Sequence, residues 1–162
     1  MVQAISNTSP LLYLHRIGSI DWLNQLFETV WTTNSVLNEL SDGQAKGFDV
    51  PKISDLYWLE LVNPNHMPQE WLSIDLGLGE ISVMALALEN PEKIVLLDDF
   101  LARRTAKAAG IKVWGTLKVL LEAKSKGIIP EVAPHIAQLK KSGMYLSEGI
   151  VRRVLSLAKE AK

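Results

Sequence analysis

Short apolar runs alternate along the chain with longer segments in which apolar residues recur every three or four positions. Five runs rich in aliphatic, β-branched or aromatic residues are typical of buried strands. They are Val2 to Ser6, Thr29 to Thr33, "LELVNP" from Leu59, "KIVLL" before Asp98 and "IKVWG" before Thr116. Because helical segments separate these runs, the pattern predicts βαβ units and a mainly parallel sheet.

The segments between the runs carry the spacing and the end signals of helices. The first helix is predicted to start with Thr8 or Ser9 as N-cap and to end at Gly18. The others are Ile20 to Phe27, a helix capped by Asn34 or Ser35 that closes near Gly43, "GLGEISVMALALEN" with Ile81, Met84, Ala85 and Leu88 at core spacing, "DFLARRTAKAAG" ending at Gly110, and three helices from Thr116 onward. Residues 43–51 and the segment "NPNHMPQEW" are predicted loops.

Together these elements predict the α/β fold class, with a central, mainly parallel sheet of four to five strands sandwiched by helices. A length of 162 residues favours a single domain over residues 1–162. Residues from about 116 to 162 form its helical C-terminal part, because no further strand pattern follows Gly115.

Composition and charge narrow the function classes. Hydrophobic residues make up 48% of the chain and charged residues 22%, as in ordinary globular proteins. The net charge of −1 means that any binding of nucleic acid needs a local basic patch. The absence of cysteine excludes disulfides, thiolate metal sites and a cysteine nucleophile. No signal peptide or membrane-spanning run is visible, which predicts a cytoplasmic protein with no membrane partner.

Candidate chemistry starts with the stretch "IVLLDDF", in which an apolar strand runs directly into Asp98 and Asp99. Ligands of open parallel sheets bind beyond the carboxyl ends of the strands, so residues at these positions are candidate site residues. Capping of the next helix accounts for one aspartate and leaves the other exposed. The first strand is followed in the same way by Asn7, Thr8 and Ser9, of which Asn7 could also be a plain turn or cap residue.

Two further acids lie within apolar helix faces. Glu39 neighbours Val36 and Leu40 in helical spacing, and Glu80 precedes Met84 by one turn. Each has a structural alternative, since Glu80 suits the first turn of a helix and Glu39 suits the solvated edge of one. If the acids converge, they raise one another's pKa values, and a divalent cation removes that penalty. Mg²⁺ or Mn²⁺ is the predicted cofactor, because both prefer oxygen ligands.

Four segments resemble the PIN-like domain family, in particular its uncharacterised prokaryotic branch of predicted nucleic-acid-binding proteins. They are "ISNTSPLLYLHRIGSIDWL", "SVLNEL", "DLGLGEISVMALALE" and "VLLDDFLARRTAKAAGIKVWGTLKVLLEAKSKGII". The resemblance covers nearly the whole chain in order. It implies a parallel sheet between helices, an acidic pocket at the carboxyl ends of the strands, and Mg²⁺- or Mn²⁺-dependent cleavage of RNA, as in the toxins of toxin–antitoxin pairs.

Roles carried over by position make Glu39, Glu80, Asp98 and Asp99 the implied catalytic acids. The same acids, with Asn7, are the implied metal ligands, and either aspartate of the pair satisfies the motif. Asn7 departs from the family, which usually has an aspartate there, so the site has one negative charge fewer. Thr8 and Ser9 are implied at the edge of the pocket as substrate contacts. The resemblance also implies single-stranded RNA as substrate, an antitoxin protein as a partner, and a homodimer.

Basic residues follow the acidic pair on the next helix. Arg103, Arg104 and Lys107 lie in "LARRTAK", and helical spacing places Arg103 and Lys107 on one side. Cations beside an anionic metal site suit the phosphates of a nucleic acid, and a solvated helix face is the alternative.

Three functions compete on these observations. The first is a metal-dependent ribonuclease. The second is a PIN-like domain that no longer cleaves and binds nucleic acid or protein, which Asn7 favours and the remaining acids oppose. The third, a phospho-acceptor receiver domain, requires its acid pair after the first strand, whereas here the pair follows the fourth.

Overall fold

The computed structural model describes residues 2–160 of the chain. Its strands are β1 (Ala4–Ser6), β2 (Val30–Thr32), β3 (Leu59–Leu61), β4 (Ile94–Leu96) and β5 (Lys112–Trp114). Its α-helices are α1 (Thr8–Arg16), α2 (Trp22–Leu26), α3 (Asn34–Ala45), α4 (Gln69–Leu72), α5 (Leu78–Glu89), α6 (Phe100–Ala108), α7 (Thr116–Ser125), α8 (Ala133–Lys141) and α9 (Glu148–Leu157). A single 3₁₀ turn, Ile53–Asp55, precedes β3.

The five strands form one sheet in the order β3-β2-β1-β4-β5, and every neighbouring pair is parallel. The central strand β1 pairs on both sides, since Ala4 lies opposite Val30 of β2 and Ile94 of β4. The predicted α/β fold with a parallel sheet is therefore confirmed, at the upper end of the predicted strand number.

Burial explains why the central strands contain almost no polar residues. Ile5, Val95 and Leu96 are fully buried in the sheet, and α5 packs on β1 and β4 with Val83 and Met84 fully buried. Strands covered on both faces are apolar throughout rather than alternating. The three C-terminal helices are also present, and α7 contacts β5, α1 and α9.

Several predicted details are wrong. The N-cap of α1 is Asn7 instead of Thr8 or Ser9, and the N-cap of α3 is Thr33, whose side chain accepts from the Val36 N–H, instead of Asn34 or Ser35. Helix α3 continues through Gly43 to Ala45. The glycine with the positive φ angle that follows this helix is Gly47 and not Gly43. Helix α4 begins inside the predicted loop "NPNHMPQEW". Leu88, predicted at a core position, is 42% exposed.

Within residues 2–160, every helix is too short or too polar to cross a bilayer.

Candidate functional site

The carboxyl ends of the parallel strands bring the candidate residues to one edge of the sheet. Asn7 follows β1, and its N–H donates to the Leu96 carbonyl of β4 at 3.1 Å. The Leu97 N–H donates in turn to the Trp114 carbonyl of β5 at 2.9 Å, which places Asp98 between the ends of β1 and β5. Strands β2 and β3 lie on one side of β1, and β4 and β5 lie on the other, so the strand order reverses between β1 and β4. Ligands of open parallel sheets usually bind at such a switch point.

Asp98 is half-buried and fixed by three hydrogen bonds. Its Oδ1 accepts from the Thr116 N–H at 2.7 Å, and its Oδ2 accepts from the Thr116 hydroxyl at 2.7 Å and the Ser9 hydroxyl at 2.8 Å. Hydrogen bonds to an ionised acceptor are stronger than neutral ones, so this carboxylate has a single position.

Asp99 has a different role from its neighbour. Its Oδ2 accepts from the Ala102 N–H at 2.9 Å, which makes it the N-cap of α6. The capping interpretation therefore holds for one of the two aspartates. The negative charge of the Asp99 carboxylate also contributes to the raised pKa of Glu80.

Glu39 reaches the same edge from α3. Its Oε2 accepts from the Thr8 hydroxyl at 2.5 Å, and its Oε1 accepts from the Gly79 N–H at 3.1 Å. Gly79 allows this approach, since a Cβ at that position would lie 2.5 Å from Oε1 and 2.6 Å from Oε2 of Glu39. A side chain at position 79 therefore excludes Glu39 from its observed position.

Glu80 opens α5 and is half-buried. Its Oε1 accepts from the Gly77 N–H at 3.0 Å, one turn back along the chain. Burial raises the pKa of the Glu80 carboxyl, the Gly77 hydrogen bond lowers it in part, and the negative charges of Asp99, Glu39 and Asp75 raise it further. The net result is a raised pKa, to which burial contributes most and the neighbouring negative charges add.

Asn7 is the residue that deviates from the family pattern, and it is buried at 5% exposure. Its side chain makes no capping hydrogen bond to α1, and its Oδ1 atom is buried without a hydrogen-bond partner. A buried acceptor without a donor is uncommon, because it loses its hydrogen bond to water and gains nothing in return.

These acids are not gathered into one closed cluster. Among residues 2–160, no group of three Asp, Glu or His side chains is arranged to hold a metal ion. Adjacent hydroxyls of α1 instead link two sets of acids, since Thr8 donates to Glu39 and Ser9 donates to Asp98. Both hydroxyls, predicted as substrate contacts, here hold carboxylates in place.

The donors at this edge nevertheless fit a hard divalent cation. All of them are oxygens, one is an unpartnered amide oxygen, and the like charges around Glu80 would be relieved by a positive ion. Mg²⁺ keeps several of its waters when few protein ligands are available. The residues therefore fit a hydrated ion better than one enclosed by protein.

The three predicted basic residues differ in position. Arg103 is half-buried, and its Nη1 donates to the Leu97 carbonyl at 3.3 Å, directly beneath Gly115. A Cβ on Gly115 would overlap that nitrogen, so this glycine makes room for Arg103 beside Asp98. Arg104 and Lys107 are exposed.

Sequence reasoning missed Thr116, Gly79, Gly115 and Asp75. The signal for Thr116 is its place directly after a strand end, in "VWGT", where the fold puts site residues. Gly79 and Gly115 interrupt the apolar pattern, but the sequence does not show why a glycine is needed at either position. Gly79 makes room for Glu39, 40 positions away, and Gly115 makes room for Arg103, 12 positions away.

Comparison with known proteins places this geometry in context. Residues 3–160 match a family described as a PIN domain. Among solved structures, the chain is similar to a PilT N-terminus domain protein from the hyperthermophilic archaeon Sulfolobus solfataricus, with a TM-score of 0.53 and 17% sequence identity over 76% of this chain and 93% of that one. At this identity the likeness concerns the fold alone. No curated protein matches the chain.

Proposed function

Because the chain belongs to the PIN-domain family, we propose that it is a metal-dependent ribonuclease that cleaves phosphodiester bonds of single-stranded RNA. PIN domains are generally nucleases, which gives the coarser class. The observation that carries the finer proposal is geometric: Thr8 and Ser9 of α1 donate to the carboxylates of Glu39 and Asp98 at the crevice position of the sheet, beside the unpartnered Oδ1 of Asn7.

Glu39, Glu80, Asp98 and Asp99 are the proposed catalytic acids, and with Asn7 they are the proposed ligands of Mg²⁺ or Mn²⁺. When bound, such an ion polarises the phosphodiester and favours hydroxide near neutral pH. Asn7 offers its unpartnered Oδ1, and Asp98 offers a carboxylate already fixed by Thr116 and Ser9.

The chain's own residues supply the proton transfer. A carboxylate within reach of the attacking water can act as its general base. Glu80 Oε2 is not engaged by Gly77, so it can take the proton from the attacking water as the water oxygen bonds to phosphorus. The bond from phosphorus to the leaving oxygen then breaks, and that oxygen takes a proton from solvent.

The experiment combines metal titration with cleavage. Mn²⁺ and Mg²⁺ are titrated into the purified protein while its thermal stability is followed, and single-stranded RNA is then offered with and without metal. We expect stabilisation and cleavage for the native protein, and loss of both in Glu80→Gln and Asp98→Asn. Glu131→Gln, an exposed acid between α7 and α8, is the matched control.

One alternative is a PIN domain that binds nucleic acid or protein without cleaving it, which the neutral Asn7 suggests and the retained acids Glu39, Glu80, Asp98 and Asp99 oppose. Metal-induced stabilisation with no cleavage of any RNA supports that alternative. An antitoxin partner, a homodimer and a cytoplasmic location stay predictions of the sequence. Light scattering on the purified protein measures the oligomeric state.

A further inference from the structure

A groove runs along α6, the helix whose N-cap is Asp99. It encloses about 600 Å³ and is lined by Trp71 of α4 and by Leu101, Arg104, Thr105, Lys107 and two alanines of α6 and its C-terminal end. This volume lies within the range of about 300–1,000 Å³ typical of ligand pockets. The segment of the chain that lines the groove, Leu101 to Ala109, is about 12 Å long at a helical rise of 1.5 Å per residue.

Phe100 is the first residue of α6 and lies directly between Asp99, the N-cap of that helix, and Leu101, the first residue of α6 that lines the groove. Its side chain is 73% exposed. The guanidinium carbon of Arg104 lies 5.8 Å from the centre of that ring. An exposed ring with a cation beside it is the arrangement on which nucleic-acid bases stack.

The charges of the groove favour an anionic occupant. Its lining contains two cations, Arg104 and Lys107, and no acid. Neither cation forms an ion pair within residues 2–160. Unpaired cations along an apolar wall suit a ligand strand that carries phosphates on one side and flat apolar surfaces on the other.

We propose that the groove between α4 and α6 holds the single-stranded RNA on one side of the cleaved bond, with Phe100 stacking on the base next to the acidic edge. This inference rests on the proposed function for the identity of the strand. Arg104 and Lys107 contact its phosphates, and Trp71 with Leu101 forms the apolar wall. Stacked nucleotides rise about 3.4 Å each, so the groove spans several of them.

Binding measured without metal tests the groove separately from catalysis. A short fluorescent oligouridylate is titrated with protein in EDTA, and its anisotropy is followed. Phe100→Ala is expected to weaken binding about 5- to 150-fold, the effect of one stacked base, while Phe100→Trp retains it. Affinity falls as salt rises, and the double variant Arg104→Ala/Lys107→Ala is expected to reduce the magnitude of the slope of log affinity against log salt by about 1.4, because two phosphate contacts are lost.

Matched controls are Leu157→Ala, an exposed apolar residue of α9, and Lys140→Ala/Lys141→Ala on α8. Thermal melting checks that each variant is folded. Native-like binding by Phe100→Ala and by the double variant overturns the proposal, as does absence of binding by the native protein. Loss of binding in these variants alongside a protein that never cleaves RNA upholds the groove and rejects only the nuclease activity.

Discussion

Asn7 places a neutral amide oxygen at the end of the central strand, where an aspartate would add a negative charge. Its Oδ1 is buried and has no hydrogen-bond partner. We predict that Asn7→Asp binds Mn²⁺ at least about tenfold more tightly, because one added charge at contact distance is worth about 4 kcal/mol at an effective dielectric of 20 before desolvation. Without metal, the same variant is expected to melt at a lower temperature.

Calorimetric titration of Mn²⁺ measures the affinity. Asn24→Asp, an exposed position on α2, controls for the change in net charge. Equal affinities for the native protein and Asn7→Asp would show that position 7 does not face the ion.

Glu80 gives a prediction about pH. Its folded-state pKa lies above the ordinary value of 4.5, so between the two values the folded protein retains a proton that the unfolded chain releases. The carboxyl therefore lowers stability as the pH rises through that window. Without metal, Glu80→Gln is expected to be at least as stable as the native protein at pH 7, while this advantage disappears below pH 4.5.

Chemical unfolding across this pH range provides the measurement. Glutamine can still accept from the Gly77 N–H, so the variant removes the charge and keeps the hydrogen bond. A native protein that is clearly more stable than Glu80→Gln at pH 7 contradicts the prediction.

A substitution at Gly79 tests the metal site without a large effect on the stability of the fold. In Gly79→Ala the added Cβ excludes the Glu39 carboxylate, while alanine favours the helix by about 1 kcal/mol over glycine. We expect the free energy of unfolding to change by no more than about 1 kcal/mol, whereas metal-induced stabilisation falls sharply. Gly149→Ala in α9, where the added Cβ meets no atom, is the control. Normal metal response in Gly79→Ala would mean that Glu39 is dispensable.

At this scale the sequence singled out candidate acids but could not define their hydrogen-bond partners. Asp98 and Glu39 stood out because charge is unusual next to apolar runs. Their hydrogen bonds to Thr116 and Gly79 depend on contacts between distant segments, which no local pattern encodes.

Among the elements, the C-terminal helices are tied together by Glu160. Its carboxylate accepts from the N–H groups of Val132 and Ala133 at 2.8 and 3.0 Å and from Lys124 Nζ at 2.9 Å. Burial acts to raise the pKa of Glu160, but these donors outweigh it and the pKa is lowered. One side chain thus joins α7 to the start of α8.

We predict that Glu160→Gln lowers the free energy of unfolding by about 1–3 kcal/mol at pH 7, as expected for hydrogen bonds to a charged group. Because the folded pKa is lowered, this contribution is complete above the ordinary value of 4.5 and is lost as the pH falls through the folded value. Denaturant unfolding at pH 7 and under acid conditions measures it, with the exposed Glu131→Gln as reference. A difference that persists unchanged in acid would assign the effect to packing.

The order of strands and helices could be read from periodicity, since strand runs and amphipathic helices differ in their repeat. Their ends could not, because caps compete closely. Thr33 caps α3 although Asn34 and Ser35 are equally good capping residues, and its hydroxyl also pairs with Ser82 at 2.7 Å in the core. That tertiary contact decides the register, and it is invisible locally.

For the whole molecule, the proposed ion joins side chains from four separate parts of the chain. A ligand that binds only the folded state raises the free energy of unfolding by about 2.7 kcal/mol when its concentration is one hundred times its dissociation constant. We therefore predict that saturating Mn²⁺ raises the melting temperature by roughly 5–11 °C, given about 2–4 °C per kcal/mol at this size. Scanning calorimetry with and without EDTA measures the shift. No shift at millimolar Mn²⁺ would contradict a metal site, and a similar shift in Asp98→Asn would place it elsewhere.

The central position of β1 affects the timing of assembly during synthesis. This first strand remains unpaired on one side until β4 is available, and β4 begins ninety residues later in register. The Asp98 carboxylate is completed later still, by the backbone and hydroxyl of Thr116. A ribosome-bound chain that ends before Thr116 lacks a finished acidic edge, so the proposed cleavage requires the chain to be synthesised and folded past that residue.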